Sequence, residues 1–327
     1  MTRLWMLPEG VEEMLPVDAW ALEELRHKLL DHYRAVHYEL VVPPLIEYLD
    51  ELLTGTGSDL EAQTFKLTDP ASGRLLGLRA DMTLQAARIA ARHFADHDVV
   101  RLCYLGSVLR TRPDSPGGAR TPRQVGCEMF GDPALDADLE TLGLMLDTVQ
   151  LAGVNDIHIS LGHAAIYRSV AAGLTLDSAD ESELFDILQR KSRPDFAAFA
   201  EARHLPAAEY QCISTLMDLN GGTEVIDHAR QRLTDDADIN IALDGLARAV
   251  DELRRRRPEV GLHIDLAELR GYRYETGMVF AAFVPGHGRE VARGGRYDGV
   301  GREFGLARPA TGFSADLNEL LRLGQKS

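Results

Sequence analysis

Three scarcities narrow the reading before any motif is considered. The 327 residues hold three cysteines, Cys103, Cys127 and Cys212, with no CxxC pair and no histidine at metal-ligand spacing. That argues against a disulfide framework and against a zinc site, and it fits a reducing compartment. Long apolar runs are missing as well. The opening MTRLWMLPEGVEEMLP carries Pro8, Glu9, Glu12 and Glu13 where a signal peptide needs an apolar core, and no later stretch approaches membrane-spanning length. The expectation is a soluble, unprocessed, cytoplasmic protein with no membrane partner. Positive charge is the third shortage: 35 basic residues face 51 acidic ones, for a formal net charge of −16. Such a surface repels a polyphosphate backbone, so no nucleic acid is expected as a main partner. The one basic run, Arg254-Arg255-Arg256-Arg257, closes a helical pattern before Pro258. Cations there gain roughly 0.3–1 kcal/mol each from the helix dipole, and the run reads as a helix end.

What is present is ordinary for a globular protein: 45% hydrophobic and 26% charged residues, enough for one large domain or two smaller ones. Residues 17–34 place Trp20, Leu22, Leu25, Leu29, Leu30 and Tyr33 at helical spacing, with Asp18 as N-cap. A short strand over 38–42 stops at Pro43 and Pro44, because proline lacks the N–H of a sheet ladder. LTDPASGRLLGLR predicts two strands around a turn at Asp69–Gly73, followed by a helix from Met82 to His93 with Ala86, Ala87, Ile89 and Ala90 inward. VVRLCYLGSVLR, RQVGCEMFG and IHISLG read as strands, and 136–151 as a helix. Between about 174 and 257 polar, helix-period segments succeed one another, which predicts a helical insertion; strands return at GLHIDLAEL, GMVFAAFV and GREVARGG. Strands clustered on both sides of a helical block, without strand–helix alternation, predict an α+β domain with a mainly antiparallel sheet.

Polar clusters inside apolar strand contexts mark where function overrides packing. Asp81, between a strand and a helix, is either an N-cap or a carboxylate aimed at an ammonium group. Arg110, with Arg112, Arg120 and Arg123 around a Pro/Gly-rich loop, forms either an anion-binding set or a merely exposed one. Gln124 and Glu128 share one face of a strand with Gly126, as a floor beneath a small polar ligand would require. RGYRYETG, from Arg270, precedes an apolar strand. GGRYDG, from Gly294, reads as a Gly-rich turn that permits tight turning or close approach of a ligand, since it lacks the features of a phosphate loop.

Taken in order, these segments resemble the catalytic core of histidyl-tRNA synthetase, a class II aminoacyl-tRNA synthetase, over nearly the whole chain. LPEGVEEMLP resembles that family's entry segment, and YELVVPPLIEYLDEL the class II dimer motif. LGSVLR through RQVGCEMFG resembles the second class II motif, and RGYRYETGMVF and GGRYDGVG the two histidine signatures. The resemblance implies one class II core over 1–327 containing the helical insertion, and no anticodon-binding domain. By position it assigns Asp81, Thr83 and Gln124 to the ammonium end of a bound histidine, and Arg110 to the place of the arginine that grips the α-phosphate of ATP and the carboxylate region. It assigns Glu128 to the imidazole, Arg270 to the position that assists adenylate formation, and Tyr274 and Tyr297 to the pocket lining.

The departures matter as much. Glu319 stands where the third class II motif carries an arginine for the ATP γ-phosphate. A carboxylate there, at ~4 Å and an effective dielectric of ~20, replaces attraction with about 4 kcal/mol of repulsion. Thr111-Arg112-Pro113 is shorter than the synthetase pattern and lacks its glutamate, and RADMT replaces Arg-Pro-Glu-Gly-Thr. With these changes the chain resembles the synthetase-derived regulatory subunits of ATP phosphoribosyltransferase. That implies a non-catalytic homodimer joined to a short-form catalytic subunit in a hetero-oligomer, serving the first step of histidine biosynthesis, with histidine as effector and no cofactor or metal. A stand-alone amino-acid-activating or amino-acid-ligating enzyme is the alternative, and a free histidine sensor a third reading.

Overall fold

The structure is a computed structural model that describes residues 6–55, 58–113, 118–233, 236–268 and 274–326. Contacts divide the chain into two compact units, one of residues 1–155 and 298–327, the other of residues 156–297.

In the first unit, strands Val100–Ser107, Arg123–Phe130 and Ala310–Asp316 pair antiparallel in that order, and Glu39–Leu40 adds in parallel beside Val100–Ser107. A three-stranded antiparallel sheet is formed by Ile46–Tyr48, Leu75–Leu78 and Phe65–Thr68, with Leu75–Leu78 in the middle. The turn joining the last two has Gly73 at φ +72°, where glycine alone is unstrained, and Asp69 Oδ1 accepts the Ala71 N–H at 3.0 Å. The paired prolines end the Glu39–Leu40 strand early, leaving it at two residues rather than five.

Helix Pro16–Ala35 buries Leu22, Leu25, Leu29 and Tyr33 at the expected spacing. Two expectations fail at its start. Pro16 occupies the first helical position, which proline's fixed φ suits, so the N-cap is Leu15 and Asp18 lies inside the first turn. Trp20 lies off the buried stripe and is 72% exposed. Tyr33, fully buried, exchanges a hydrogen bond with Thr148 Oγ1 at 2.8 Å, which ties this helix to Leu135–Leu151. Helix Thr83–His93 buries Ala86, Ala87 and Ala90, with Ile89 only part-buried at the margin of that face.

In the second unit, strands run in the order Ala292–Arg296, Met278–Phe283, His158–His163, Gly261–Asp265, Asn220–Gly221. All pairs are antiparallel except His158–His163 with Gly261–Asp265. Helices Ser178–Gln189, Arg193–Ala202, Ala207–Asp218, Val225–Arg232 and Ala237–Arg256 belong to this unit. The longest buries Ile239, Ala242, Leu243, Leu246, Ala249, Val250 and Leu253 along one stripe, and Arg254, Arg255 and Arg256 form its last turn. Arg255 and Arg256 pair with Glu252 and Arg254 donates to Thr223 Oγ1, which accounts for the basic run as a helix end. Of the segment GGRYDG, Gly294 and Gly295 are strand residues and the turn falls at Asp298 and Gly299; a Cβ at Gly295 would lie 2.7 Å from the Met278 carbonyl, so the close approach there is between neighbouring strands.

Candidate functional site

The antiparallel pair Val100–Ser107 and Arg123–Phe130 sets Tyr104 opposite Gly126 and Gly106 opposite Gln124; on the other edge Gly312 lies opposite Glu128. This register makes a glycine-cleared trough in which a few large polar side chains lie flat. A Cβ at Gly126 would sit 2.5 Å from Tyr104 Oη, and one at Gly312 would collide with Glu128 Oε2. Gly106 leaves the room in which the Arg79 guanidinium lies.

Within the trough the polar groups form one connected chain. Asp81 Oδ1 accepts the Thr83 N–H at 2.7 Å, and its Oδ2 accepts from Gln124 Nε2 at 2.6 Å. Gln124 Oε1 accepts the Met82 N–H at 2.8 Å. Thr83 Oγ1 and Tyr104 Oη exchange a hydrogen bond at 3.0 Å, and Tyr104 Oη donates to Glu128 Oε1 at 2.8 Å. Gln124 and Glu128 are buried at 3% and 1% exposure, and burial, followed by the Glu128 charge, pushes the Tyr104 phenol well above its usual pKa. The phenol is therefore a fixed donor to the carboxylate. Asp81 holds the first turn of Thr83–His93 from one residue before its cap, Met82. It is both helix-stabilising and directed at Gln124, so the two readings of its role coexist.

Arg110 donates from Nε at 3.2 Å to the carbonyl of Ala80, the residue before Asp81. The other loop arginines divide. Arg120 braces the loop through the Arg110 and Glu9 carbonyls, Arg123 reaches Asn318 Oδ1 at 3.2 Å, and Arg112 is exposed. At the end of strand Ala310–Asp316, Asp316 caps helix Leu317–Gly324 by accepting the Asn318 N–H at 3.0 Å. Burial raises the Asp316 pKa; the Glu319 charge raises it further and the Arg110 charge lowers it. Arg110 thus lies in the field of the Asp316 carboxylate.

Of the sequence-derived site residues, Asp81, Thr83, Arg110, Gln124 and Glu128 come together in the first unit. Tyr274 and Tyr297 come together in the second, their rings stacked with centroids 4.8 Å apart and planes 23° from parallel. Arg270 lies outside the described residues. Tyr104, which links the two ends of the trough, was missed by sequence reasoning. Its signal was the lone phenol in an apolar strand, two positions from Gly106 and facing Gly126 across the pair.

In the second unit, His163 Nδ1 accepts the Ala165 N–H at 3.3 Å. Burial, then the charges of Arg168 and Arg296, lower its pKa to about 4. The folded chain therefore resists a proton that the unfolded chain takes up at about 6.5. The resulting stability is complete above pH ~6.5 and falls by up to about 3 kcal/mol as pH drops towards 4. His163→Asn, which keeps an acceptor for the Ala165 N–H, should flatten that part of the urea-midpoint-versus-pH curve; an unchanged slope would assign the titration elsewhere.

Residues 10–320 match the family described as Histidyl-tRNA synthetase. The chain is 56% identical over 321 residues to an ATP phosphoribosyltransferase regulatory subunit of Thioalkalivibrio sulfidiphilus, covering 98% of this chain and 81% of that one. It is 48% identical over 322 residues to a protein of the same name from Pseudomonas aeruginosa, at 98% and 81% coverage. Among solved structures, a histidine–tRNA ligase subunit of Alicyclobacillus acidocaldarius superposes with a TM-score of 0.81 at 26% identity, over 99% of this chain and 98% of that one. A chain of an ATP phosphoribosyl transferase complex of Thermotoga maritima superposes at 0.70 with 16% identity, over 93% and 98%, a likeness of fold alone. The fold is that of the class II histidyl-tRNA synthetases, α+β with a mostly antiparallel sheet flanked by helices.

Proposed function

The chain belongs to the family of ATP phosphoribosyltransferase regulatory subunits, and from that premise we propose that it acts without catalysis of its own. Its role is to activate a short-form phosphoribosyltransferase subunit in the first step of histidine biosynthesis and to carry histidine feedback. The observation that carries this reading is the combination in one trough of an intact amino-acid end and an acidic third motif. Asp81, Gln124 and Thr83 offer a carboxylate, an amide and a hydroxyl to an ammonium group, and Glu128 offers a carboxylate to an imidazole. Asp316 and Glu319 occupy the end where a triphosphate would need a cation. Arg110 takes the role that the synthetase resemblance assigns it at the carboxylate end.

The reading includes a homodimer, supported by the apolar exposure around the proline pair: Val42 is 81% exposed, Leu40 48%, Leu45 44% and Ile46 42%. A self-complementary patch of this kind suits an isologous contact, which light scattering on the isolated chain reads directly.

Histidine is expected to bind the isolated chain and to inhibit the assembled enzyme. Glu128→Gln keeps an acceptor for the Tyr104 hydroxyl, so the fold persists. A charge-assisted hydrogen bond to the imidazole becomes a neutral one, at a cost of about 1–2 kcal/mol, or roughly five- to thirty-fold in Kd. Calorimetry with wild type and variant decides this: equal histidine affinities would place the effector elsewhere. A stand-alone sensor would show the same binding and no effect on any phosphoribosyltransferase.

A further inference from the structure

The second unit contains a cavity of about 340 Å³ that the synthetase resemblance does not explain. It lies against strands His158–His163 and Gly261–Asp265, and its polar lining includes Ser160, Gln189, Lys191, His263, Asp265 and Glu268. Two features show that it is built. Lys191 follows the helix Ser178–Gln189 at the position where its N–H bonds the Leu188 carbonyl and the next N–H bonds the Ile187 carbonyl. That motif wants glycine, because its backbone is left-handed, yet Lys191 holds φ +52° there and sets its ammonium against Asp265, a carboxylate only 4% exposed. The side chains of Ser160, Gln189 and His263 form no hydrogen bond among the described residues, although Ser160 is only 8% exposed. The ion pair with Asp265 holds a cation at the cavity, and a hydroxyl, an amide and an imidazole line the same space without a hydrogen-bond partner among the described residues.

We propose that this cavity binds the zwitterionic head of a free amino acid, at a site separate from the Glu128 trough. Among the described lining residues Lys191 is paired with Asp265 and Glu268 adds a second carboxylate, so a phosphate dianion is poorly matched. A zwitterion is matched at both ends. Its carboxylate takes the free donors of Lys191 and the Ser160 hydroxyl, and its ammonium takes Glu268 and the Gln189 amide oxygen. Its side chain meets Ile159, Ala267 and Phe283. The inference goes beyond the regulatory reading and needs no catalytic partner.

The test is calorimetry on the full-length chain with each of the twenty L-amino acids and with inorganic phosphate as separate probes. At least one amino acid should bind, with Kd raised at least about tenfold by Lys191→Gly and about three- to tenfold by Ser160→Ala. Glu128→Gln should leave that binding event in place. Lys191→Gly relaxes the backbone but leaves Asp265 without its cation; if it fails to fold, Ser160→Ala, which breaks no hydrogen bond among the described residues, carries the test alone. The proposal is overturned if no amino acid binds, if phosphate alone binds, if both cavity variants bind as wild type does, or if Glu128→Gln abolishes the event. Activation of a phosphoribosyltransferase subunit is read separately, so failure of either reading leaves the other standing.

Discussion

Gly312→Ala is expected to destabilise the chain by about 3 kcal/mol and to abolish histidine binding. A methyl at Gly312 would overlap Glu128 Oε2 and lie 2.5 Å from Glu128 Cδ and 2.9 Å from the Cys127 carbonyl. The Glu128 carboxylate, 1% exposed and bonded to Tyr104, has no solvent into which it can swing. Overpacking of a filled interior costs about 1–3 kcal/mol, and losing the buried hydrogen bond from Tyr104 to the Glu128 carboxylate costs about 1.5–3 kcal/mol more. The clash has a specific partner, so the penalty is coupled to it. In the background of Glu128→Ala the added methyl has room, and its cost should fall by at least about 1 kcal/mol. Urea midpoints for the four members of the cycle check this. A Gly312→Ala protein within about 0.5 kcal/mol of wild type would mean that the strand register beneath Glu128 is not the one described.

The isolated chain should exchange pyrophosphate into ATP at least about 10³-fold more slowly than a histidyl-tRNA synthetase does, with or without histidine. The reason lies at the end of the strand Ala310–Asp316. Glu319 and Arg110 both act on Asp316 there, and Arg123 is already engaged by Asn318. A triphosphate brought to this end meets carboxylates, at about 4 kcal/mol for a pair ~4 Å apart in an effective dielectric of ~20. Glu319→Arg should not restore exchange, because the segment after Arg110 also lacks the glutamate of the synthetase pattern. Histidine-dependent exchange at synthetase-like rates would establish the amino-acid-activating reading instead.

Much of this was legible because periodicity and position survive in a single sequence. The alternation of Gln124, Gly126 and Glu128 put three residues on one face, and the structure keeps them there. The heptad-like spacing of Leu22, Leu25, Leu29 and Tyr33 identified a buried stripe. Trp20 was misplaced because periodicity measures angle around a helix and not where the covering layer stops. Asp18 was misread as a cap because Pro16 starts the helix earlier than the first acidic residue suggests. Gly294 and Gly295 were read as a turn because glycine serves tight turns and close strand contacts alike, and only the register with Met278–Phe283 separates the two. Tyr104 was missed for a similar reason: its importance comes from what lies across the strand pair, Gly126 and Glu128, which adjacency in sequence does not show.

The central claim is that this synthetase-like chain works by acting on another subunit. The direct measurement is ATP phosphoribosyltransferase activity of a purified short-form catalytic subunit, titrated with this chain in the absence of histidine. The account predicts a saturable rise of at least about tenfold, equivalent to about 1.4 kcal/mol of transition-state stabilisation, reaching a plateau at a fixed subunit ratio. Activity that stays at the level of the catalytic subunit alone, across a range in which the two proteins are shown to be folded and at micromolar concentration, would contradict it.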